Sequence, residues 1–147
     1  MSNISIIIGT MLGASEYIGD HLETILTTDH QVSTTLDPDL NHYDLSNDQL
    51  WLICTSTHGA GDFPDNLVKF VEQLNQTSPN LSNIRFAVCG LGDTSYDTFC
   101  QAGITIDTLL ESLGATRVYP LNKIDIIDGK LPEENAEQWL KLWSDKI

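Results

Sequence analysis

Leu50-Trp51-Leu52-Ile53-Cys54 is an unbroken apolar run, and one residue later it gives way to Ser56-Thr57-His58-Gly59-Ala60-Gly61-Asp62. A short run of this kind reads as a parallel strand buried on both faces. The pattern recurs: Ile4 to Ile8 ends in Gly9-Thr10-Met11-Leu12-Gly13-Ala14-Ser15, and Phe86 to Cys89 ends in Gly90-Leu91-Gly92-Asp93-Thr94-Ser95-Tyr96. As neighbouring parallel strands, the three runs carry their loops to one sheet edge, where open α/β sheets bind ligands.

Outward from these runs, strands alternate with helices. Ser15 to Thr28 sets Ile18, Leu22, Ile25 and Leu26 on one helical face. Pro64-Asp65-Asn66 starts a second helix with Leu67, Phe70, Val71 and Leu74, and the same spacing returns at Ile106, Leu109, Leu110 and Leu113 and at Ala136, Trp139, Leu140 and Trp143. Val32, Thr34 and Leu36 alternate as an edge-like second strand ending at Asp37-Pro38. Ile84, Phe86 and Val88 mark a fourth strand, and Arg117-Val118-Tyr119 a short fifth. Asp39 to Gln49 is polar and acidic, with room for only a short helical turn. Such alternation predicts a doubly wound parallel sheet of the α/β class.

The length, 147 residues, suits a single domain, residues 1–147, with one core. No apolar stretch is long enough to span a bilayer, and the amino terminus lacks a secretory pattern, so a cytoplasmic protein is expected. Cys54, Cys89 and Cys100 form no Cys-x-x-Cys pair and read as structural thiols. His21, His30, His42 and His58 are scattered without metal-ligand spacing, and no metal is assigned. The net charge is −14, and no Lys or Arg precedes Lys69. That field repels nucleic acid and anionic membranes and speeds encounter with a basic protein patch, although solubility alone explains it equally well.

The first loop, a turn running straight into a helix, points backbone N–H groups and the positive end of the helix dipole at one small volume. Thr10 and Ser15 add hydroxyls. With no Gly-Lys-Ser or Gly-Lys-Thr and no full Gly-x-Gly-x-x-Gly, what is left is a neutral nest for a single terminal phosphate, or a simple turn. In the second loop, Gly59 and Gly61 let the backbone approach a flat ligand and reorient a peptide cheaply. The third loop adds Tyr96, able to stack on a planar heterocycle.

Ser56 to Asn66 and Gly90 to Phe99, together with Leu113-Gly114-Ala115-Thr116-Arg117 and the final tryptophan helix, resemble the flavodoxin-like FMN proteins. The resemblance extends to the FMN domains of diflavin reductases and, around His58-Gly59-Ala60-Gly61-Asp62, to the short MioC proteins. It implies a flavodoxin-like three-layer αβα domain whose five-stranded parallel sheet has the order 2-1-3-4-5. It further implies that Thr10, Met11, Leu12, Gly13, Ala14 and Ser15 bind the FMN phosphate, that Thr57, His58, Gly59, Ala60 and Gly61 cover the inner ring face, and that Leu91, Gly92, Asp93, Tyr96 and Phe99 lie on the outer side with Tyr96 stacked. Gly59 is the candidate for a reorienting peptide. The family's phosphate loop, usually Thr-x-Thr-Gly-Asn-Thr, is departed from at Leu12 and Ala14, which removes two polar contacts worth roughly 0.5–1.5 kcal/mol each. His58 stands where diflavin-reductase domains carry tyrosine; it either couples the ring's potential to pH or is an indifferent loop histidine.

The implied function is a small electron carrier, fed by a flavin reductase and serving an iron–sulfur or haem enzyme, with Asp62, Asp65, Asp93 and Asp97 facing basic patches on those partners. It is not an enzyme on this reading, since no nucleophile and base stand together. The alternatives are a nicotinamide-dependent quinone reductase on the same fold and a non-redox binding domain.

Overall fold

The structure, a computed structural model, describes residues 2–147. Five strands run side by side: β1 (Asn3–Gly9), β2 (Gln31–Thr35), β3 (Gln49–Ser56), β4 (Ile84–Gly92) and β5 (Thr116–Arg117). All pair in parallel in the order β2-β1-β3-β4-β5, as expected. Between them lie α1 (Ala14–Leu26), α2 (Asp65–Thr77) and α3 (Gln101–Ser112), and α4 (Pro132–Trp143) closes the chain. The acidic stretch after β2 contributes only a 3-10 turn, Leu40–His42.

Strand periodicity divides the core. Ile4, Ile6 and Ile8 of β1, Leu50, Leu52 and Cys54 of β3 and Ala87, Cys89 and Leu91 of β4 face α1 and α4. Their alternates Ile7, Trp51, Ile53, Phe86 and Val88 face α2 and α3. The tryptophans of α4 pack edge to face at 5.2 Å within the first cluster, the core role expected of them.

The fifth sheet position differs from the expected single strand. A further segment, β6 (Asn122–Asp125), also pairs with β4. Phe86 faces Arg117, but Cys89, three residues on, faces Asn122, five residues on, so two surplus residues bulge out around Pro120. Proline has no N–H to give a ladder and breaks the strand where it falls. β4 runs through Gly90, Leu91 and Gly92, expected as loop: β3 pairs with Gly90 and Leu91, and β6 on the other side pairs with all three. No described helix is long and apolar enough to cross a membrane.

Candidate functional site

The carboxyl ends of β1, β3 and β4 open onto a cleft of about 450 Å³. Thr10, Met11, Leu12 and Ala14 line it from the first loop and Ser56, Thr57 and Gly59 from the second. Leu91, Gly92, Asp93, Tyr96, Thr98, Phe99 and Cys100 form the third wall, and Ile126 adds to it from beyond β6.

The first loop is held by its own hydroxyl. Gly13 N–H donates to Thr10 Oγ1 at 2.8 Å, closing the turn, and Gly13 itself is left-handed with φ 97° and open space where a Cβ would stand. The first backbone bond of α1 runs from Tyr17 N–H to the Gly13 carbonyl. The N–H groups of Ala14, Ser15 and Glu16 are therefore the terminal donors that a helix leaves without an intrahelical acceptor. Ser15 beside them is 0% exposed, and its Oγ finds no hydrogen-bond partner among the described residues. Leu12 is 99% exposed.

In the second loop His58 and Asp62 form a tight bridge, each N–H donating to the other's carbonyl at 2.8 Å. Gly59 and Gly61, at φ 53° and 108°, make that reversal possible. Thr57 Oγ1 accepts the Ala102 N–H at 3.1 Å, joining this loop to the first turn of α3.

The third loop is fastened to β6. Thr94 Oγ1 donates to Asp125 Oδ2 at 2.6 Å, and the N–H groups of Thr94 and Ile127 donate to Asp125 Oδ1 at 3.3 and 3.2 Å. Asp93 accepts the Ser95 N–H at 2.8 Å, tightening the turn that leaves Tyr96 65% exposed at the rim. The Thr94 hydroxyl first, and these N–H groups with it, hold the Asp125 carboxyl below the usual carboxylate range. A carboxyl lowered by folding adds stability that is complete above its unfolded value and is lost as the pH falls through the folded one. The Thr94 and Ile127 amide resonances should therefore titrate together with a midpoint below about 3.9, the ordinary aspartate value. A midpoint at or above that value contradicts the fastening.

Burial, with the neighbouring Cys89 adding to it, pushes the Cys100 thiol up to about 12, so it lines the wall as a neutral apolar group. Deeper in, a hydrogen bond with Cys89 and complete burial raise the Cys54 thiol as well.

Of the residues singled out in the sequence, Gly13, Ser15, His58, Ala60 and Gly61 are not among those lining the cleft. Gly13 supplies the left-handed turn of the first loop, and Ser15 stands in the first turn of α1 that follows it. His58 instead lines a second hollow with Asp62, Phe63, Asp65, Val68 and Glu72 against α2. Ser56, Thr98, Cys100 and Ile126 join the wall unforeseen. The first three lie in or beside the glycine- and hydroxyl-rich stretches and could have been drawn from them. Ile126 arrives through β6, for which the sequence reading had no strand.

Residues 6–139 match the model of the Flavodoxin family. Over 143 residues the chain is 42% identical to Protein MioC of Escherichia coli O157:H7, with 97% of each chain covered. It is 37% identical over 134 residues to the sulfite reductase (NADPH) flavoprotein alpha-component of Bacillus subtilis (strain 168), an overlap of 90% of this chain and 21% of that protein. Among solved structures, a cysteine-to-alanine mutant of flavodoxin from Pseudomonas aeruginosa superposes with a TM-score of 0.88 at 29% identity over 97% of each chain. Both branches of the resemblance drawn from residues 56–66 and 90–99 are thereby borne out.

Proposed function

The chain belongs to the flavodoxin family of FMN-dependent electron carriers, and from that premise we propose that residues 1–147 act as one FMN domain passing single electrons from a separate reductase to a separate iron–sulfur or haem enzyme. The observation that carries the reading is Ser15 Oγ at the first turn of α1, fully buried and without a partner among the described residues. An orphan hydroxyl costs about 1–3 kcal/mol, a cost removed when an anionic oxygen accepts its proton. Terminal N–H groups beside it and the helix dipole favour the same charge. The residues present therefore fit a phosphate.

Bound FMN supplies an isoalloxazine ring able to take up and release electrons singly. Thr10, Met11, Leu12, Gly13, Ala14 and Ser15 would hold its phosphate; Leu12 and Ala14 bring no polar side chain, so backbone donors and the two hydroxyls would do this work. Thr57, Gly59 and the 58–62 reversal would hold one ring face, and Leu91, Gly92, Asp93, Phe99 and Tyr96 the other. His58 lies in the hollow against α2 and Gly59 in the cleft, which supports Gly59 rather than the imidazole as the group that would meet the inner face. Cys100 stays a neutral thiol, and the Thr57 hydroxyl accepts the Ala102 N–H, so these two residues serve as wall rather than as reacting groups.

Calorimetry with FMN and with riboflavin tests the cofactor. One-to-one binding is expected, at least about tenfold tighter for FMN; equal affinity, or no binding, overturns the reading. Mixed with NADPH without oxygen, the loaded protein should stay yellow until a reductase is added, and that reduction should slow with salt because the facing patch on the donor is basic. Rapid bleaching without a reductase would instead mark a nicotinamide-dependent quinone reductase.

A further inference from the structure

Asn66 is the side chain that ties the first loop to the rest of the fold. It sits in the first turn of α2, half-buried, yet it does not cap that helix: Pro64 is the capping position and no side chain fills it. Its carboxamide reaches across to β1 instead. Oδ1 accepts the Thr10 N–H at 2.9 Å, and Nδ2 donates to the Ile8 carbonyl at 2.6 Å and to the Leu36 carbonyl at 3.0 Å. Both amide hydrogens are thus used, on backbone 58 and 30 residues away.

The geometry has a directional consequence. At the end of β1 the Ile8 carbonyl and the Thr10 N–H are held by one rigid planar group, which fixes the two peptides flanking Gly9. Gly9 is confined as well, since a Cβ there would lie 2.5 Å from Thr55 Oγ1 and 2.9 Å from Leu67 Cδ2. Beyond this clamp the chain turns through the Thr10 Oγ1 to Gly13 N–H bond into α1. The Thr10 N–H is spent on Asn66, so the donors left to face a ligand are those further round the turn.

We propose that Asn66 is the positioning residue of the phosphate subsite, aiming the Thr10 to Ser15 turn without itself touching the ligand. This rests on the reading of that turn as the site of the FMN phosphate. Because the clamp acts at one end of the ligand, its loss weakens the phosphate contacts and spares the ring contacts.

The test is the ratio of FMN to riboflavin affinity, measured by calorimetry in the unsubstituted protein, in Asn66→Ala and in Asn66→Gln. Asn66→Gln adds no charge and keeps an amide displaced by one methylene, so it serves if Asn66→Ala fails to fold. Loss of one or more charge-assisted bonds predicts an FMN dissociation constant raised about tenfold or more, with riboflavin within about twofold. A purely structural role would weaken both flavins alike and leave the ratio unchanged, which overturns the proposal while the phosphate reading stands. A ratio near one in the unsubstituted protein overturns both.

Discussion

Replacing Trp51 with alanine is expected to destabilise the protein by about 3–5 kcal/mol, a large share of the roughly 5–15 kcal/mol that holds an ordinary domain together. Trp51 lies fully buried at the middle of the sheet, on β3, between β1 and β4. Its ring meets Tyr43 at 5.1 Å and Phe70 at 5.5 Å, both tilted or edge-on, so the loss includes aromatic geometry beyond area alone. Its Nε1 donates to Gln49 Oε1 at 3.0 Å, and Gln49 in turn donates to the Asp44 carbonyl at 2.7 Å. Truncation leaves the Gln49 oxygen without its donor in a nearly buried setting, in addition to the cavity. Urea unfolding should show the midpoint falling with little change in slope. A loss below about 1 kcal/mol would mean that the space collapses, and that this tryptophan does not anchor α2 to the sheet.

That anchor was legible as a residue but not as a network. The run Leu50 to Cys54 announces a buried strand, and the spacing of Leu67, Phe70, Val71 and Leu74 announces the helix that covers it; both follow from local periodicity. Tyr43 and Gln49 fall in a polar, acidic stretch with no periodicity to mark them, and what orders them is the placement of Trp51 and Phe70. The same limit explains the end of β4. Two glycines in three residues normally announce a turn, and long-range pairing, with Thr55 and Ser56 on one side and Asn122 to Asp125 on the other, keeps Gly90 to Gly92 extended. Asn66 stood in plain view within the glycine-rich motif, but its reach to Thr10 and Ile8 needs three-dimensional placement of β1 beside α2. Loops carrying chemistry were therefore readable from composition, whereas the side chains that aim them were not.

Those two glycines are expected to respond very differently to alanine, although they sit two residues apart at the cleft end of the same strand. A Cβ on Gly92 would lie 2.8 Å from the Cys100 backbone nitrogen, 2.9 Å from Phe99 Cδ1 and 3.0 Å from Cys100 Sγ. The first of these cannot be relieved by rotating a side chain, so segment 99–100 must move off β4. Overpacking of this kind costs about 1–3 kcal/mol. Phe99 and Cys100 both line the cleft, so the displacement reshapes the wall itself. If most of that cost falls on binding, FMN affinity drops by about 10- to 100-fold. At Gly90 the nearest atoms to a Cβ are Cys100 Cβ at 3.5 Å and the Asn122 carbonyl oxygen and Cys100 Sγ at 3.6 Å, all ordinary contacts. Gly90→Ala should therefore leave affinity within about threefold and stability within about 0.5 kcal/mol, the range of an unstrained substitution. Calorimetry and urea titration on the pair decide it. Equal effects would mean that α3 slides freely on β4, and that the close seat of Cys100 against Gly92 does not set the width of the cleft.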